Sequence, residues 1–339
     1  MSDRGEPIGV AVLGAGRMGQ THIRNLAAIP DARVMAVADP VAEAAEAGRA
    51  LARAEQAFTD PHEAIAAPGV DAVVIVTPTS THASLIEAAA RAGKAIWSEK
   101  PIALELAETA RVVDVVRRAG VPVQLGFMRR FDPGYAAAKA RIEAGELGRI
   151  EQFRALSRDT YPPPVEFLYD AGGIFLDMTV HDLDLARFLV GEVEEVYAWA
   201  EVLAEPRFAE AGDFDTALAM LRFENGAMGV VETARHGPWG YDIRTEVAGA
   251  KGKVVIEDVQ KTAATFSHDF GFEGDHFENF PDRFADAFRL ELEAFVAAIR
   301  DGKTPTPGPE DALETLRLAI ACTRSRAEGR PVKLSEVTA

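Results

Sequence analysis

A chain of 339 residues exceeds what one hydrophobic core usually organises, and with 48% hydrophobic and 26% charged residues it is neither disordered nor fibrous. Its 36 Lys and Arg against 53 Asp and Glu give a formal charge of -17, which repels phosphate backbones and anionic bilayers and excludes nucleic acid and membranes as expected partners. The start, MSDRGEPIG, lacks the basic, apolar and small-residue succession of a secretory signal, and the apolar runs fall short of a membrane span, so the expected compartment is the cytoplasm.

Up to about Gly126, short β-branched runs alternate with longer helical stretches. Strands are expected at Ile8 to Leu13, Val34 to Ala38, Ala72 to Val76, Ala95 to Trp97 and Val121 to Leu125. Between them, Val41 to Arg53 and Ser80 to Arg91 are rich in helix formers and long enough for right-handed crossovers, so a doubly wound parallel sheet is predicted. After helices at Pro133 to Ala144 and Ile174 to Leu189, strand-like runs follow one another without helices between. Glu224-Asn225-Gly226 and Gly249 to Gly252 read as hairpin joints, which predicts an antiparallel sheet. Such a sheet has a face that must be covered, by helices or by another subunit, so a homo-oligomer is expected. Asp258 to Arg283, with many Phe, Asp and His and little period, reads as a long loop of the kind that forms lids. Helices are expected near Arg283 to Arg300 and Pro309 to Ala327; the sole cysteine, Cys322, lies among apolar residues on the second and reads as a core thiol.

Gly14-Ala15-Gly16-Arg17-Met18-Gly19 follows the first strand and opens a helix. The first glycine permits the turn, the second lets backbone approach a pyrophosphate, and the third lets helix pack on strand. A plain glycine turn and a flavin site are the alternatives. Asp39 ends the second strand twenty residues beyond Gly19, where a carboxylate binds ribose hydroxyls and repels a 2′-phosphate, favouring NAD over NADP. Ser98-Glu99-Lys100-Pro101 sits at the carboxyl end of another parallel strand, where open α/β sheets place ligands, so Lys100 is either a nicotinamide-facing group or an exposed loop lysine. In Gly172-Gly173-Ile174-Phe175-Leu176-Asp177-Met178-Thr179-Val180-His181-Asp182, an acid and a histidine four apart share one helix face. Asp177 can hold the imidazole while His181 accepts a hydroxyl proton as hydride leaves the same carbon. A solvated pair or a metal pair are the alternatives, but no third ligand is evident and none is expected.

These elements together resemble the glucose-fructose oxidoreductase, inositol dehydrogenase and rhizopine-catabolism family over nearly the whole chain. Gly126-Phe127-Met128-Arg129-Arg130-Phe131-Asp132 and the Gly172 to Asp182 block look like the inositol 2-dehydrogenases within it. The resemblance implies an α/β protein: an NAD-binding Rossmann domain over residues 1–126, then an α+β substrate and oligomerisation domain over 127–339. The second domain would carry a large open, mainly antiparallel sheet that forms dimers or tetramers, and the final helices would pack back on the first domain. By the same resemblance Lys100, Asp177 and His181 are catalytic, with Lys100 on the reacting hydroxyl and the nicotinamide ribose. Arg129, Asp159 and Tyr241 would line the polyol site, and Glu99, Thr77 and His82 would pass the cofactor. A surface salt bridge is the alternative for Arg129, and a helix cap at Thr79 to Thr81 for the loop. The implied reaction is NAD-dependent oxidation of myo-inositol to 2-keto-myo-inositol; the alternatives are scyllo-inositol, a hexose or an anhydrosugar. A nicotinamide-sensing regulator without turnover is the reading from another class, and retention of Lys100, Asp177 and His181 stands against it.

Overall fold

The computed structural model describes residues 6–257 and 259–339, so the first five residues of the amino-terminal stretch and Asp258 at the head of the expected long loop lie outside the described residues. Two compact units form: one holds residues up to Met128 together with 288–314, and the other holds 129–287 and 315–338.

The first unit is built on six parallel strands: β1 (Ile8–Leu13), β2 (Ala32–Ala38), β3 (Gln56–Phe58), β4 (Ala72–Ile75), β5 (Ala95–Ser98) and β6 (Val123–Leu125). Their order, β3-β2-β1-β4-β5-β6, reverses direction at β1 and β4. Strands buried on both faces must be apolar throughout, which is why β4 is AVVI and β1 is IGVAVL. Helices α1 (Arg17–Ala28), α2 (Ala42–Ala52), α3 (Pro61–Ile65), α4 (Thr79–Arg91) and α5 (Leu106–Ala119) make the connections. Val10, Val12, Ile23, Leu26, Val37, Val74 and Trp97 form one core with Leu292, Phe295 and Val296, which explains why residues 288–314 belong to this unit. Strand β3 was absent from the sequence reading; three residues, none of them fully buried, give too short a pattern to register.

The second unit starts with α6 (Pro133–Glu143), whose cap Asp132 accepts the N–H groups of Gly134 and Tyr135, with proline at the first helical position. Then come β7 (Ile150–Arg158), α7 (Val165–Leu168), α8 (Val180–Leu189), β8 (Val193–Glu201), α9 (Arg207–Glu210), β9 (Thr216–Phe223), β10 (Met228–Ala234), β11 (Asp242–Gly249) and β12 (Gly252–Ile256). Strands β13 (Thr265–His268) and β14 (Gly271–Gly274) and helices α10 (Phe280–Arg283), α11 (Ala285–Arg300) and α12 (Pro309–Glu328) precede a final short strand, β15 (Val332–Lys333). The large sheet runs β12-β11-β7-β10-β9-β8-β15, antiparallel except where β10 pairs parallel to β7. Both predicted hairpins are present: Gly226, at φ 86°, turns β9 into β10, and Gly249 pairs with Gly252 between β11 and β12. Helix α8 packs on β7 and β10, and α6 packs on β12.

Two expectations need correction. The stretch read as a long loop contains the β13–β14 hairpin and α10, because strands whose residues are almost all exposed carry no alternation of buried and exposed positions to read. The helix expected from Ile174 begins with a π-helical turn, Phe175–Thr179, before α8, and the Thr179 hydroxyl donates to the Ile174 carbonyl at 3.1 Å. Cys322 is buried as expected, and burial pushes its thiol up to about 12.

Asp215, buried beside β9, accepts the backbone N–H groups of Leu203, Ala204 and Glu205 at 3.0, 2.9 and 2.8 Å and the Thr216 hydroxyl at 2.8 Å. Burial raises its pKa, but these donors outweigh burial and hold the carboxyl below its ordinary range. With the folded value below the unfolded one, the stabilisation is present above the unfolded pKa and is lost as pH falls through the folded value. Asp215→Asn, which mimics the neutral acid, is therefore expected to cost about 1–3 kcal/mol near neutrality. In urea titrations the gap to the parent protein should close in acid; a gap of constant size would contradict this account.

Candidate active site

The turn after β1 has the geometry of a dinucleotide cradle. Gly14 has φ 95°, and a Cβ there would meet the Val76 carbonyl oxygen at 2.4 Å, while a Cβ on Gly19 would lie 2.1 Å from the Gly14 carbonyl oxygen. Gly16 differs: it caps α1 at an ordinary φ of -66°, and a Cβ on it would meet no protein atom within 4 Å. Neither strain nor packing within the protein calls for glycine at this position. The open space lies over the first-turn amides of α1, which have no side-chain cap, as a pyrophosphate requires. Arg17 is exposed and Met18 half-buried at the start of the same helix.

Asp39 joins this cradle. One carboxylate oxygen accepts the Ala15 N–H at 2.8 Å and the other the Val41 N–H at 2.9 Å, which fixes the group at the end of β2 with lone pairs left for ribose hydroxyls. The residues present therefore fit NAD.

On α4, His82 is 1% exposed, and its two ring nitrogens lie 2.7 Å from the Pro101 carbonyl oxygen and 2.8 Å from that of Thr77. Expected to pass the cofactor, this ring has both nitrogens committed to backbone, and it ties the Thr77 loop to the segment that follows β5. The Thr77 hydroxyl accepts from Thr81 at 2.7 Å, and α4 is capped by Pro78 rather than by a threonine. Glu99 bonds the buried His22 at 3.1 Å, and Lys100 is half-buried and joined to Pro101 by a cis peptide.

In the second unit, every residue from Ile174 to Ala186 is buried except Asp177 and His181. This stretch thus presents an acid and an imidazole and hides its other side chains. Its first turn is π-helical, a distortion often found at functional positions. Arg235 donates to Asp177 at 2.9 Å.

Arg129, expected to bind substrate hydroxyls, is 3% exposed and donates through Nη1 to Asp182 at 2.8 Å and Ser157 at 3.1 Å. Burial opposes its charge, but the Asp182 carboxylate outweighs burial and holds the guanidinium above its ordinary range. Arg129 also bonds Tyr241, whose phenol is raised by burial and stays neutral. Asp159, half-buried at the end of β7, adds a negative field at Tyr241. The structure thus brings Gly14, Gly16, Gly19 and Asp39 together, and Thr77 with His82. In the second unit it brings Arg129, Asp159 and Tyr241 together, and places Asp177 and His181 on one helix. Sequence reading missed Arg235, Asp213 and the partner role of Asp182: Asp182 lies inside the block already singled out, while Arg235 and Asp213 carry no local signal.

Residues 8–127 match the model of an oxidoreductase family with an NAD-binding Rossmann fold, and residues 139–334 match that family's C-terminal alpha/beta domain. The chain is 43% identical to a scyllo-inositol 2-dehydrogenase (NAD(+)) of Bacillus subtilis, over 96% of this chain and 95% of that protein. It is 39% identical to a myo-inositol 2-dehydrogenase of Thermotoga maritima, over 97% of this chain and 99% of that one. A solved scyllo-inositol dehydrogenase from Lactobacillus casei, with bound NAD(H) and scyllo-inositol, superposes at a TM-score of 0.91 with 32% identity, covering 97% of this chain and 100% of that one.

Loss of the Asp39 carboxylate removes charge-assisted bonds that cost about 1.5–3 kcal/mol to break. Asp39→Ala is expected to weaken NADH binding, followed by fluorescence, by about 10- to 100-fold and to bring NADPH close to NADH in affinity. Unchanged discrimination between the two would show that Asp39 does not read the ribose.

Proposed function

Because this chain belongs to the oxidoreductase family of NAD-binding Rossmann and C-terminal alpha/beta domains, we propose that it oxidises a ring hydroxyl of inositol, converting myo-inositol to 2-keto-myo-inositol. The observation that carries this reading is the stretch from Ile174 to Ala186, in which Asp177 and His181 alone escape burial. An imidazole titrates near neutrality and suits removal of a hydroxyl proton; a carboxylate one turn earlier orients it and offsets the charge it gains. Bound NAD supplies the hydride acceptor. His181 takes the proton from the substrate oxygen, Asp177 orients His181, and Lys100 holds the reacting hydroxyl. Tyr241 and Asp159 offer neutral and anionic oxygens to the remaining hydroxyls. Arg129, spent on Asp182, fixes the Tyr241 side of this set.

An uncharged polyol suits a site whose buried Arg129 is already paired with the Asp182 carboxylate, since that guanidinium is not held ready for a phosphate. Of the relatives named above one is a scyllo-inositol and the other a myo-inositol 2-dehydrogenase, and these two epimers differ at the oxidised carbon and give the same ketone. Reliance on a diffusible dinucleotide supports the cytoplasm as the compartment. Among the described residues no helix is long and apolar enough to cross a membrane.

The oligomer belongs to the same proposal. Trp199, Leu218, Met220 and Met228, on adjacent strands β8, β9 and β10, are 44%, 42%, 55% and 61% exposed, and Trp199 pairs with Leu218 in register. Their alternate neighbours Ala198, Ala217, Ala219 and Leu221 are buried. A contiguous apolar face of this kind is covered in most soluble proteins, and a second copy of the chain is the cover we assign, as dimer or tetramer.

NADH formation from NAD with myo- and scyllo-inositol tests the reaction. The parent protein should turn over at least one epimer, and His181→Ala should lower kcat by about 10²- to 10⁴-fold while NADH still binds. Silence with both epimers, or parental kcat in His181→Ala, would overturn it. Sedimentation velocity tests the assembly: the parent should run as a dimer or larger, and Leu218→Lys with Met220→Lys should reduce its size. A monomeric parent would refute the shared sheet.

A further inference from the structure

We propose that Arg235, held by Asp213, is the positioning residue that fixes Asp177 for its work on His181; this rests on the reading of Asp177 and His181 given above. Arg235 follows β10, is 1% exposed, and has its backbone N–H on the Asp215 carbonyl at 2.8 Å. Its Nη1 donates to Asp177 Oδ2 at 2.9 Å, and its Nη2 faces Asp213 Oδ2 at 3.5 Å. Asp213, 4% exposed, accepts the Ile174 N–H on its other oxygen at 2.9 Å. Ile174 leads directly into the π-helical turn that bears Asp177. Asp213 therefore holds both the start of the catalytic helix and the guanidinium that grips its acid.

A purely structural requirement would be met without Asp177. One buried carboxylate balances one buried guanidinium, and Asp213 already supplies it. Asp177 has 21% of its side chain exposed, so water can solvate it without a buried partner. Its bond to Arg235 instead restricts orientation. The charges agree with a catalytic setting: Arg235 is shared between two carboxylates, so Asp177 keeps negative charge to set against an imidazolium on His181 when that ring takes the substrate proton. The fork shape matters too, because two Nη groups can address two carboxylates from one planar cation, whereas lysine offers a single point charge.

The test compares Arg235→Met, Arg235→Lys, Asp177→Asn and the Asp177→Asn/Arg235→Met double variant in the full chain. It measures kcat, KM for inositol, NADH affinity by fluorescence, and folding by circular dichroism. Arg235→Met should lower kcat about 10- to 100-fold, in the range typical of groups that orient a functional side chain, with NADH affinity held to about twofold. Arg235→Lys should recover part of that loss. In the Asp177→Asn background, removal of Arg235 should cost nothing further, since a residue acting through Asp177 has nothing left to position. Parental kcat in folded Arg235→Met, or a loss of equal size with and without the Asp177 carboxylate, would overturn the inference. Should Arg235→Met fail to fold, Arg235→Lys decides: reduced kcat at parental NADH affinity supports the role, and parental kcat removes it. Parental kcat in Asp177→Asn would overturn the underlying reading of Asp177, and this inference with it.

Discussion

Parallel strands joined by helical crossovers are buried on both faces, so in the first unit polar chemistry is confined to the strand ends. Asp39 ends β2, Thr77 follows β4, and Ser98-Glu99-Lys100 closes β5, all at carboxyl ends. The sheet reverses its order at β1 and β4, and the crevice there is where such folds admit ligands. The glycine turn lies at the same place. Gly14 and Gly19 are glycines because backbone crowds them, and Gly16 because space must stay open over the helix amides. One packing constraint thus gathers these residues at the strand ends, and backbone crowding leaves Gly14 and Gly19 intolerant of side chains.

The second unit relies on buried charge. Arg129 pairs with Asp182, Arg130 grips Asp184 through two bonds of 2.8 and 2.6 Å, and Arg235 faces both Asp177 and Asp213. Replacing such pairs with apolar residues is often neutral or stabilising, so their number argues for orientation rather than for added stability. Each arginine ties an element to the helix from Ile174 to Leu189 or to the segment before it. Asp182 and Asp184 hold α8 to the Arg129-Arg130 segment, while Asp213 holds the helix start. A helix held this firmly can keep two polar side chains at fixed positions without mobile support.

The glycine turn, the place of Asp39 after β2 and the sharing of one helix by Asp177 and His181 were legible because each is local: a few consecutive residues, or one turn of helix, carry the pattern. The alternation in β9 and the Asn225-Gly226 joint were legible for the same reason, since strand pleat and turn chemistry repeat at short range. The β13–β14 hairpin was not, because nearly all of its residues are exposed and exposed strands leave no periodic trace.

What the sequence by itself determined, then, is the doubly wound parallel sheet of the first unit, the place of the glycine turn, and an aspartate and a histidine on one helix. Only the tertiary structure decided how those side chains are used. Arg129 reads as one of two adjacent arginines until Asp182, 53 residues away, is seen paired with it. Arg235 reads as the residue after a strand until the fold brings it to Asp177 across 58 residues. Local conformational preference acts over one turn or one strand, whereas the pairing of buried charges depends on which distant segments the core packs side by side, and no short pattern along the chain encodes that.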